Sequence, residues 1–120
     1  MTAARVPKDI RQFVARFLPR VEHLEVLMIL QRAAARSWSP SEIAAWLRIP
    51  ESTAADVLEQ LALDNFLDVK ISNEILYRFK PATADLVLAV ADCAEFYQRE
   101  RTAMIDAVLM QNTMQDLADT

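Results

Sequence analysis

The 120-residue chain contains no glycine. Every glycine-rich phosphate loop is therefore excluded, both the dinucleotide-binding and the P-loop kind. Any backbone position that needs a positive φ must be filled by another residue, and Asn or Asp tolerate it best. The single cysteine, Cys93, rules out an internal disulfide and a cysteine-based metal cage. The single histidine, His23, has only Glu22 and Glu25 as near acidic neighbours. Adjacent and i+2 positions do not share a helix face, so these three make a poor ligand set. No run approaches the roughly 18 apolar residues of a membrane span. The N-terminus lacks the apolar centre of a signal peptide, which points to a cytoplasmic protein without a membrane partner.

Hydrophobic residues make up 53% of the chain and charged residues 25%, the balance of a globular protein with one core. The net charge of -4 is unevenly placed. Residues 1–40 carry seven basic and three acidic side chains, whereas 41–66 carry one basic and five acidic. Residues 67–80 come to +1 and residues 81–120 to -5. A polyanion would meet a favourable field only at the first third and around residues 67–80.

The stretch Ser39–Leu67 organises the rest. Ser39-Pro40-Ser41-Glu42 has the form of a capping box with proline at the first helical position. A helix is expected over 40–48, with Ile43, Ala44, Trp46 and Leu47 as its apolar residues. Ile49-Pro50 breaks it, because the residue before a proline is pushed out of the α region. A second helix over 51–64 has Ala54, Val57, Leu58 and Leu61 as its inner stripe, and Asn65 stands where a helix commonly ends in a left-handed residue. Residues 67–71 and 75–79 alternate as two strands around Ser72-Asn73-Glu74.

Two helices precede this unit. Ile10, Phe13, Val14, Phe17 and Leu18 give 8–18 one apolar face, and Pro19 stops it. The helix over 21–35 is apolar around most of its circumference and so belongs at the centre of the core. After Pro81 a single helix is expected over 82–110, about 43 Å long. Leu86, Val90, Cys93, Tyr97, Met104 and Val108 follow a near-heptad spacing along it, with Glu100 or Arg101 at the missing step. A helix of that length outruns a small core, which favours a homodimer built on this seam. The alternative is that the helix folds back along 8–18 and 21–35 within one chain. Thr113–Asp116 could cap one further short turn.

The fold class expected is mainly α with a small β-hairpin. At this point the chain resembles the winged helix-turn-helix proteins of bacterial transcription. Ser41, Ile43, Ala44, Leu47 and Ile49 carry the resemblance in the first motif helix. Ser52, Thr53, Ala54, Leu58, Leu61, Asn65, Phe66 and Leu67 carry it in the second, and Tyr77, Arg78, Phe79 and Pro81 at the end of the wing. Residues 1–81 would form the winged domain with its N-terminal helices, and 82–120 the C-terminal dimerisation segment.

The resemblance implies a DNA-binding transcriptional regulator acting as a dimer, with the second motif helix in the major groove. Ser52, Thr53 and Gln60 would then face bases, and Arg48, Lys70, Arg78 and Lys80 would neutralise phosphates. Glu51, Asp56 and Glu59 on the same helix favour the other use of the fold, a protein-interaction module that docks on a basic regulatory partner without touching DNA. Neither reading calls for a cofactor or a metal. Nothing points to catalysis, and Cys93 reads as a small buried hydrophobe.

Overall fold

The computed structural model describes the backbone of residues 6–118 and the side chains of residues 6–111. Helix α1 spans Lys8–Phe17, α2 Val21–Arg32, α3 Pro40–Leu47 and α4 Glu51–Leu63. Strand β1 is Ser37–Trp38, β2 is Leu67–Ile71 and β3 is Ile75–Phe79. Helices α5, Ala84–Arg99, and α6, Arg101–Ala118, close the described chain. The three strands form one antiparallel sheet in the order β1-β3-β2.

The capping box forms as the sequence predicts. The Ser39 side chain accepts from the Glu42 N–H at 3.2 Å, and Glu42 Oε1 accepts from the Ser39 N–H at 2.9 Å. Two donors at the start of α3 are satisfied at once. The two motif helices also end alike. Arg48 and Asn65 both take a positive φ, 58° and 72°. The next N–H then reaches five residues back, Ile49 to the Ala44 carbonyl and Phe66 to the Leu61 carbonyl, each at 3.1 Å. This closes the helix and drops a large apolar residue onto the core. Asn65 matches expectation. Arg48 does not: in a chain without glycine, an arginine takes the left-handed position in front of Ile49-Pro50.

The core is continuous. Leu24, Val26, Leu27 and Leu30 of α2 sit at its centre, with Ile43, Val57, Leu58, Leu61 and Phe66 around them. Phe13 and Phe17 of α1 meet Phe66 edge-on, at 5.7 and 5.0 Å between ring centroids. The hairpin over 67–71 and 75–79 has the expected bounds, with Leu67 opposite Phe79, Val69 opposite Tyr77 and Ile71 opposite Ile75. Strand β1 was not foreseen. Two residues are too few to show a period, and Trp38 is held by its pairing with Tyr77 and by burial.

The C-terminal helix differs most from expectation. It is not one rod over 82–110: Glu100 leaves the helical region, at φ -135° and ψ 58°. Its N–H still caps α5 through the Phe96 carbonyl at 2.7 Å, while its own carbonyl accepts from the Met104 N–H at 3.1 Å. The break falls at the step of the seam where a charged residue stands in place of an apolar one. It lets α6 turn back onto α1 and α2. The fold-back alternative therefore describes this chain. Val90, Cys93, Met104 and Val108 are buried within the chain's own core, and Leu86 and Tyr97 are half-buried at its edge. The separate capped turn at Thr113–Asp116 is replaced by continuous helix to Ala118, and the side chains there lie outside the described residues.

Candidate nucleic-acid interface

Helix α4 shows how a helix can be held firmly while its outer face stays open. Ala54, Val57, Leu58 and Leu61 are buried. Ser52, Asp56, Glu59, Gln60 and Leu63, at three- and four-residue spacing, all point outward. Of the three residues expected to face bases, Ser52 and Gln60 are exposed and Thr53 is half-buried. Gln60 already has a partner, since its amide donates to Asp64 Oδ2 at 3.5 Å. The acidic face foreseen in the sequence is real: Glu51, Asp56 and Glu59 are exposed and none is in an ion pair among the described residues.

The residues expected on phosphates divide into two groups. Arg48, Lys70 and Lys80 are exposed and in no ion pair among the described residues. Arg78 sits in the central strand, half-buried, 3.6 Å from Asp68 on the neighbouring strand. Its charge is already partly answered. Strand alternation puts Asp68, Lys70, Leu76 and Arg78 on one face of the hairpin. The opposite face is apolar throughout and continues the core outward from buried Leu67 to Ile71, which is 80% exposed at the tip.

Two arginines not among the expected phosphate contacts stand beside α4. Arg16 and Arg20, at the α1–α2 corner, line a cleft of about 410 Å³ together with Asp56, Gln60 and Asp64. The excess of basic residues before position 40 was the available signal, but not their placement against α4. His23 also lines this cleft, 4% exposed, and its Nδ1 has no hydrogen-bond partner. Burial holds its pKa below the ordinary 6.5, with help from the Arg20 charge and against Glu22 and Asp64. The shift favours the neutral imidazole at pH 7.

The remaining titratable groups act structurally. Burial first, then Asp92, pushes the Cys93 thiol up to about 12, so it holds no thiolate near neutrality. The Ser39 N–H, and after it the Arg36 guanidinium, hold the Glu42 carboxyl below its usual range. Burial raises Tyr77, with Glu59 adding to the effect. Among the described residues no group of three or more His, Cys, Asp or Glu side chains could hold a metal ion, and no helix is long and apolar enough to cross a membrane.

No family model matches the chain, and no curated protein matches it in sequence. Solved structures do match in shape. Reduced HlyU from Vibrio cholerae N16961 aligns with a TM-score of 0.56 at 16% identity, over 72% of this chain and 88% of that one. A double mutant of ZitR from Lactococcus lactis gives 0.54 at 16% identity, over 82% of this chain and 60% of that one. The same mutant in apo form gives 0.54 at 17% identity, over 90% and 71%. The fold is thus a winged helix, mainly α with a small antiparallel sheet. Identities this low speak to the fold alone.

Proposed function

We propose that this chain is a winged-helix DNA-binding regulator of transcription that works in the cytoplasm as a homodimer. The observation that carries the reading is the pairing of a helix whose inner face is buried with a hairpin whose Lys70 and adjoining Lys80 are exposed and in no ion pair among the described residues. Ser52, Thr53 and Gln60 of α4 supply hydrogen-bonding groups suited to base edges. Arg48, Lys70 and Lys80 supply charges suited to phosphates, with Arg78 in a lesser part. The fold shared with the winged-helix transcription regulators HlyU and ZitR supports this use.

The burial of Val90, Cys93, Met104 and Val108 in the chain's own core argues for a dimer surface other than the seam. In this reading the dimer uses exposed apolar residues of α5 and α6 instead, with Val87, Leu88 and Met110 supporting that choice.

A second reading rests on the uncompensated charge of Glu51, Asp56 and Glu59. Pressed against phosphates, these carboxylates oppose the electrostatic attraction that supplies most non-specific affinity. They suit a basic protein surface. Filter binding of pooled genomic fragments across a salt series separates the two. DNA binding predicts retention that falls linearly in log affinity against log salt. If no fragment is retained at low salt, the DNA reading fails and the protein partner takes its place.

A further inference from the structure

We propose that the groove where α2 and α3 meet the α5–α6 corner is a binding site for a planar aromatic carboxylate. This inference does not depend on whether the chain binds DNA.

Two local irregularities meet at this groove. Trp46 is an apolar residue of α3 by sequence, yet it is 67% exposed, with its ring edge-on to Trp38 at 6.2 Å between centroids. Arg101 opens α6, where the positive end of the helix dipole disfavours a cation; the acid that answers this end is Glu100 just before it, and the first turn itself holds none. Residues that break a local preference without a structural gain are the ones to examine for function.

The groove encloses about 340 Å³, within the range of small-molecule sites. Trp46 and Tyr97 give it two aromatic side chains, and Met28, buried in the core, gives it an apolar floor. Arg32 and Arg101 stand at its rim, exposed and in no ion pair among the described residues. The Arg101 guanidinium lies 5.6 Å from the Tyr97 ring centroid, and both residues line the groove. Against these two guanidiniums the lining has one carboxylate, Glu25. The groove's own lining is therefore net positive.

Each part points to one feature of the ligand. Two aromatic side chains favour a flat ring, by stacking or edge contact. Guanidiniums match the planar fork of a carboxylate and can bind it with paired hydrogen bonds. An aliphatic acid would leave the rings uncovered, and a neutral aromatic would leave the guanidiniums unanswered.

The test uses the whole chain, labelled with nitrogen-15, and 1-naphthoate as the probe. The protein has two tryptophans, so its spectrum has two indole N–H signals, assigned with W46F. Naphthoate should shift the Trp46 signal saturably and leave that of buried Trp38 nearly in place. R32Q and R101Q should each weaken binding about tenfold, the effect of losing one charge-assisted contact. The neutral analogue 1-naphthylmethanol should bind at least about tenfold more weakly for the same reason. Absence of a saturable shift overturns the proposal. So does equal binding of the alcohol, an arm that needs no variant, and so does undiminished affinity in R32Q/R101Q.

Discussion

The guanidinium of Arg36 lies 3.8 Å from the centroid of the Trp38 ring. From there it also donates a 2.8 Å hydrogen bond to Glu42 Oε2. One surface arginine thus joins three parts of the fold: the loop after α2, strand β1, and the capping box of α3. Trp38 is 3% exposed and pairs with Tyr77 in the central strand, so the stack covers the outer edge of the core.

R36A should therefore cost about 1 kcal/mol, the sum of a partly desolvated cation–π contact and a discounted exposed ion pair. R36K keeps the charge and loses the planar stack, and should fall between R36A and the parent. Urea unfolding followed by far-UV circular dichroism measures both. If R36A matches the parent, the contact is ornamental.

Met104 distinguishes a core from a seam. M104A removes a fully buried side chain of α6 and should cost about 3 kcal/mol through lost burial and the cavity left behind. That loss should be the same at every protein concentration. L88A, on the exposed face of α5, should leave the unfolding of the monomer nearly unchanged and weaken self-association in sedimentation. A loss for M104A that disappears on dilution would put Met104 back in an interface.

His23 gives stability a pH dependence. Its folded pKa lies below the unfolded value of 6.5. The unfolded chain then binds the proton more readily, so stability falls as the pH drops below 6.5 and is fully present above it. Thermal scans from pH 8 downward should show that loss. H23L should flatten the part of the curve that begins there and leave the acid limb, where Glu42 protonates, in place. An unaltered curve for H23L would mean that another group titrates.

Cys93 is 1% exposed, with its thiol pushed up to about 12. An aromatic disulfide reagent at pH 8 should label it only as fast as the chain unfolds, and urea should accelerate labelling in step with unfolding. Rapid labelling of the native protein would show an open path to the α5 seam.

Asp68 restrains the wing. Under the DNA reading, D68N frees Arg78 from its 3.6 Å pair and should steepen the slope of log affinity against log salt by about 0.9. K70Q should flatten it by a similar amount. Identical slopes for both variants would remove the wing from the interface.

Most of the motif was legible because its signals are local. Ser39 and Glu42 announce the capping box by spacing, Ile49-Pro50 marks the turn, and alternation from Leu67 to Phe79 gives the two strands of the hairpin. The candidate site was half legible. Ser52, Gln60, Arg48, Lys70 and Lys80 are exposed, which is all that the fold says of their role. That Arg78 is paired, and that Arg16 and Arg20 flank α4, depends on contacts between elements far apart in sequence.

The sequence alone determined most of the residues that turn inward, with Trp46 and Ile71 as exceptions, since apolar periodicity and caps act within a few residues of chain. It also determined the acidic outer face of α4, because once the inner stripe is buried the rest must face water. What the seam packs against was decided only by the tertiary structure. A heptad-like stripe gains the same burial from a partner chain or from its own α1 and α2. The break at Glu100 brings the nearer surface within reach, with no second chain to order. The same fold-back sets Arg101 and Tyr97 beside Trp46, a groove that no spacing along the chain foretells.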